Sequence, residues 1–127
     1  MIKWFDKNRE VSLIFVVVIG IIIFFLSSIP GNSLTRISFI AITYHIFIFF
    51  LFTFFLFTTF VHGKDKNFIL IVILISIFYG IIDEFHQLFT YGRDSSFSDL
   101  MVNNIGIFFA TLVYLFHLKR QDKNRKI

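Results

Sequence analysis

A small all-α membrane protein with four transmembrane helices is what this sequence predicts, on three observations. The chain of 127 residues is 57% hydrophobic with a mean hydropathy of +0.82, well beyond a soluble domain, whose apolar share is ~45–50%. Apolar runs at 11–29, 37–61, 68–89 and 100–118 follow one another, each long enough at ~1.5 Å per residue to cross a hydrocarbon core of ~30 Å. Lys and Arg are divided very unequally between the segments that join these runs. A single domain over 1–127 is expected.

The lead before span one carries Lys3, Lys7 and Arg9, with Trp4 and Phe5 suited to a membrane interface. A basic start followed by an apolar run also fits a secretory signal peptide. The run of 19 residues at 11–29 exceeds the usual ~7–15, and no A-x-A-like site follows, so the sequence predicts a retained span. Ser27-Ser28-Ile29-Pro30-Gly31 ends it with turn formers, since Pro30 cannot extend the hydrogen-bond ladder. Span two contains Tyr44, His45 and eight Phe between Phe47 and Phe60. The Phe excess, 21 in all, reads as lipid-facing bulk. A polar loop from His62 to Asn67 precedes span three, and Lys119 to Ile127 reads as a solvated, frayed tail.

Placing the termini in the cytoplasm puts ten Lys and Arg inside and only Arg36 and Arg93 outside, which is the orientation that the positive-inside rule selects. With its charges at span ends, the chain has no basic face for nucleic acid. The absence of Cys removes disulfides, a thiolate nucleophile and Cys-ligated zinc. His62 and His117 fall at the cytoplasmic span ends, where snorkelling or helix-end pairing is the expected role.

The chemistry concentrates in 83–106. At 100° per residue Asp83, Glu84 and Gln87 share one arc of span three, with His86 to the other side, while Asp99, Asn103, Gly106 and Ala110 form one stripe of span four. Small residues at Gly106 and Ala110 let another helix approach closely. Ionised groups within a membrane cost at least ~2.5–3.5 kcal/mol on insertion scales, so Asp83 and Glu84 are expected to face a polar interior with His45, Gln87, Asn103 and Arg93 as partners. Arg93 could clamp a carboxylate through two parallel bonds.

Three uses are open to such a site. His45, Glu84 and His86 could hold a metal, although no helical i, i+4 ligand pair supports it. Asp83 or Glu84 could act as general acid or base on an outer-leaflet lipid. A pocket of His45, Asp83, Glu84, Gln87, Arg93, Asp99 and Asn103 could bind a polar head group. A structural network that fixes helix register is the plain alternative.

Asp83-Glu84-x-x-Gln87, Arg93 and Asp99-x-x-x-Asn103-x-x-Gly106 resemble the signature of the VanZ-like family of small membrane proteins. Ser28-x-Pro30 and His45 also match its pattern, so the resemblance spans essentially the whole chain. Two departures are Tyr91 before Gly92-Arg93, where the family often has Pro, and Ala110 in place of a frequent Gly. The resemblance implies a multi-pass protein of the cell membrane, without a cofactor, that lowers susceptibility to teicoplanin and related lipid-tailed glycopeptides or serves the cell envelope. The expected partners of the pocket are membrane lipid and a lipid-linked cell-wall precursor or the lipoglycopeptide itself; the oligomeric state stays open.

Overall fold

The computed structural model describes residues 2–30, 39–61, 67–93 and 97–125. Arg36, the start of span two at 37–38 and most of the loop from His62 lie outside the described residues. Five helices follow in order: α1 (Ile2–Lys7), α2 (Arg9–Ser27), α3 (Phe39–Phe60), α4 (Phe68–Gln87) and α5 (Phe97–Arg125), with no strand among the described residues. The last four are each long and apolar enough to cross a membrane.

α3 is the centre of the bundle and packs most extensively on α5 and α2, while α4 lies against α3 and α5. A helix apolar all round is a buried helix, and α3 fits: Phe49, Phe52, Phe55 and Phe57 are buried in the core. The Phe residues therefore divide into two groups. Phe57 stacks on Tyr114 with centroids 5.0 Å apart and Phe52 on Tyr79 at 4.6 Å, whereas Phe24, Phe25, Phe78, Phe85 and Phe116 point outward. The expectation of lipid-facing bulk holds for the second group only, because the central span has neighbours on most sides.

Two boundaries differ from the sequence reading. The lead contains α1, whose Phe5 meets the ring of Phe55 edge-on at 5.1 Å. The basic tail continues α5 as helix to Arg125, as a stretch free of Gly and Pro and rich in good helix formers can. These two elements secure each other. Asp6 Oδ1 accepts from Tyr114 Oη at 3.0 Å, and Oδ2 accepts from His117 Nε2 at 2.8 Å and Gln121 Nε2 at 3.3 Å. Tyr114, His117 and Gln121 lie at spacings of three and four on one stripe of α5. His117 thus pairs with a carboxylate of another helix. Asp6→Ala should release α1, since bonds to a charged group contribute ~1.5–3 kcal/mol; hydrogen exchange at 2–7 in lipid nanodiscs should accelerate, and unchanged protection would refute the tie.

Candidate functional site

At the end of the bundle opposite the termini, α4 turns Asp83, Glu84 and Gln87 inward, all buried, and leaves His86 half-buried toward α2. Asp83 and Gln87 are one turn apart, so the Gln87 Nε2 amide donates to Asp83 Oδ2 at 3.1 Å. The other carboxylate oxygen accepts from Ser27 Oγ at the end of α2. Gln87 Oε1 in turn accepts from Arg93 Nη1 at 3.4 Å. A continuous chain of donors thus runs from the Arg93 guanidinium through the Gln87 amide to Asp83 and is closed by Ser27. Because α4 ends at Gln87, Asp83 lies about 6 Å inside the helix end at ~1.5 Å per residue, shallower than the longer span predicts.

Arg93 does not clamp a carboxylate here. Its Nε donates to Ile29 O and its Nη2 to Leu26 O, each at 3.0 Å, while Thr90 Oγ1 donates to Ser27 O at 3.2 Å. The last carbonyls of a helix lack intrahelical partners and carry partial negative charge, so the loop after α4 acts as a cap on the end of α2. Pro30, exposed just beyond, ends the helix without a backbone donor of its own. Arg93 is aimed by a four-residue turn in which its N–H returns to Thr90 O at 3.1 Å and Gly92 takes φ 74°, the positive value that the third position of a type II turn demands. Gly92→Ala should cost ~1–2 kcal/mol for the left-handed backbone, seen as a lower melting temperature in detergent; an unchanged melt would contradict this account of the turn.

On the other side of Asp83 stand α3 and α5. His45 Nδ1 lies 2.9 Å from Asn103 Oδ1; an amide oxygen only accepts, so His45 carries its proton on Nδ1. Asn103 is fully buried, and among the described residues its Nδ2 has no hydrogen-bond acceptor; the buried Tyr44 hydroxyl is likewise unpartnered. Such groups cost ~1–3 kcal/mol each when left unmet. The Asn103 side chain rests against Gly80 of α4, where an added Cβ would lie 3.8 Å from Nδ2. One turn further along α5, Gly106 lets the backbone of α3 come so close that an added Cβ would lie 2.4 Å from Ile46 O. Ala110 continues this buried stripe.

A family model described as VanZ/LLP1 matches residues 11–118. The chain belongs to the VanZ/LLP1 family. The match takes in the four spans and every residue of the cluster above, and it leaves out α1 and the last turns of α5. No curated protein and no solved structure matches the chain.

In this VanZ/LLP1 chain the residues singled out from sequence fall into separate groups. Asp83, Gln87 and Arg93 belong to the bonded chain, His45 and Asn103 to a second pair, and Glu84 is buried on the same α4 face as Asp83. Asp99 sits in the first turn of α5, half-buried, where the helix dipole favours a carboxylate; among the described residues no hydrogen bond joins it to Asp83, Gln87 or Asn103. The metal alternative finds no support in the geometry. His86 turns to α2, its ring 4.4 Å from that of Phe24 and its Nε2 2.9 Å from Ser28 Oγ, while His45 is engaged on α5. Among the described residues no three His, Asp or Glu side chains form a group that could hold a metal ion.

Two partnerships are not visible in helical spacing. Ser27 completes the bonding of Asp83, and Ser28 receives His86. Serines at the end of an apolar run read as turn formers; only the proximity of the ends of α2 and α4 makes them partners. Ser28 donates its own proton to Phe24 O at 2.8 Å, so His86 is the donor to Ser28 and the pair is not arranged as a nucleophile with its base.

Proposed function

We propose that this VanZ/LLP1 protein resides in the cell membrane with both termini in the cytoplasm, and that its polar cluster serves the outer face. In this reading it lowers susceptibility to teicoplanin-type lipoglycopeptides by engaging the polar head of a lipid-linked cell-wall precursor, or of the drug. The observation that carries the reading is the density of buried polar groups at one end of the bundle: Asp83, Glu84, Gln87, His45 and Asn103 are all under a tenth exposed, with an Asn103 donor unmet among the described residues. Intramembrane ionisable groups are costly and mark function by default, and a buried unmet donor is what a ligand's carbonyl or phosphate oxygen would satisfy.

The orientation rests on the opposite end, where Lys3, Lys7, Arg9, Lys119, Arg120 and Lys123 are gathered on α1, α2 and α5. Asp83 and Glu84 are the recognition groups, and Arg93 supports Asp83 through Gln87. The test is expression in a teicoplanin-sensitive bacterium, with a reporter fused to each terminus. Raised tolerance to teicoplanin but not vancomycin, with both reporters cytoplasmic, is the expected result. No shift at good expression would sink the resistance reading, and an external terminus would sink the orientation.

A further inference from the structure

A second feature lies on the flank of the bundle, away from the α3 and α5 side of the cluster. Between α2 and α4, above Phe52 of α3, runs an open apolar groove of about 450 Å³ whose walls include Val17, Gly20, Ile21, Phe24 and Tyr79. Gly20 gives the groove depth, and its carbonyl, which would otherwise be a polar spot in mid-span, accepts from Tyr79 Oη at 2.8 Å. The surface left to a visitor is hydrocarbon, consistent with a place within two membrane spans.

We propose that this groove seats one acyl chain of a bilayer phospholipid, with the lipid's head beside Ser28 and His86. Three features select that occupant. The groove lies on the outward side of the spans, where bilayer hydrocarbon is the solvent. Its lining is apolar apart from the Gly20 carbonyl, which the Tyr79 hydroxyl already occupies, so it offers an occupant hydrocarbon contact alone. Its order along the axis is that of an amphiphile: Phe24 lines the groove and packs on His86, and His86 and Ser28 form a polar, partly exposed pair at the ends of α4 and α2. From Val16 to Ser28 is about 18 Å at ~1.5 Å per residue, so a chain in the groove would carry its head to interface depth. This site is separate from the buried cluster and does not depend on any action toward antibiotics.

The experiment uses the full chain in nanodiscs of phosphatidylglycerol doped with the same lipid bearing a photoreactive diazirine on one acyl chain, with adducts mapped by mass spectrometry. Leu70, Leu74 and Phe78, exposed on α4, report ordinary annular lipid. Adducts are expected to concentrate severalfold on Val17, Gly20 and Ile21 over these controls. Gly20→Leu and Val17→Phe should each fill the groove and return its labelling to the level of the controls; Val17 is exposed, so the second variant leaves the Gly20 and Tyr79 contact intact. Labelling spread over both sets in proportion to exposure, groove labelling that survives Val17→Phe, or crosslinks from the groove to a second copy of the chain would each overturn the proposal.

Discussion

Gly106→Ala is expected to be among the most damaging single-methyl additions available in this chain. The new Cβ would meet the backbone of α3, 2.4 Å from Ile46 O and 3.0 Å from Phe50 N, and backbone cannot move aside as a side chain tip can. Overpacking costs typically ~1–3 kcal/mol, and here α3 and α5 would have to separate along the most extensive contact of the bundle. The folded fraction in mild detergent should fall sharply, and Gly106→Leu should leave almost none. Gly20→Ala is the matched control, because its Cβ would first meet the Tyr79 hydroxyl at 3.4 Å, an ordinary contact with the end of a side chain. Equal thermal stability of the two alanine variants, measured by fluorescence-detected size exclusion, would contradict the close approach at Gly106.

Asp83→Ala should come next in effect. The substitution takes the acceptor from Ser27 and from Gln87 at once, and each buried donor left unmet costs ~1–3 kcal/mol. It also breaks the link from α4 to α2 and leaves the bonded chain from Arg93 through Gln87 without its final acceptor. A double-mutant cycle separates these contributions. Ser27→Ala alone should destabilise, but in the Asp83→Ala background it should cost little, because the bond it would remove is already gone. Strictly additive losses in thermal denaturation would mean that Ser27 and Asp83 do not interact as described.

How much of this was legible in the sequence depends on distance along the chain. The four spans were visible because a run of apolar residues is a local signal, and helical spacing placed Asp83, Glu84 and Gln87 on one face and Asn103, Gly106 and Ala110 on one stripe. What the spacing does not contain is the identity of the facing helix. Ser27 reaches Asp83 across 56 residues, and Arg93 reaches Leu26 across 67, so Arg93 read as a carboxylate clamp when its main partners are helix-end carbonyls. Electrostatically the two roles look alike in sequence, since both place a cation beside negative charge. α1 does not show in the sequence because six residues are too few for a helical period, and what holds it is Asp6, whose partner Tyr114 lies 108 residues away. Charge alone makes the tail read as frayed, whereas His117 and Gln121 share that distant acceptor. Phe carries no mark that separates core from lipid contact; only the central position of α3 does.

We propose that the buried acids serve recognition while Arg93 fastens the end of α2. Teicoplanin susceptibility of a sensitive bacterium carrying the chain, set against membrane abundance for Glu84→Gln and Arg93→Ala, tests it most directly. Glu84→Gln keeps the shape of the side chain and replaces its carboxyl with a neutral amide, so the prediction is lost protection at undiminished abundance, with vancomycin response unaltered; Arg93→Ala should lose protection in step with its abundance. Full protection by Glu84→Gln at equal protein level would contradict the claim.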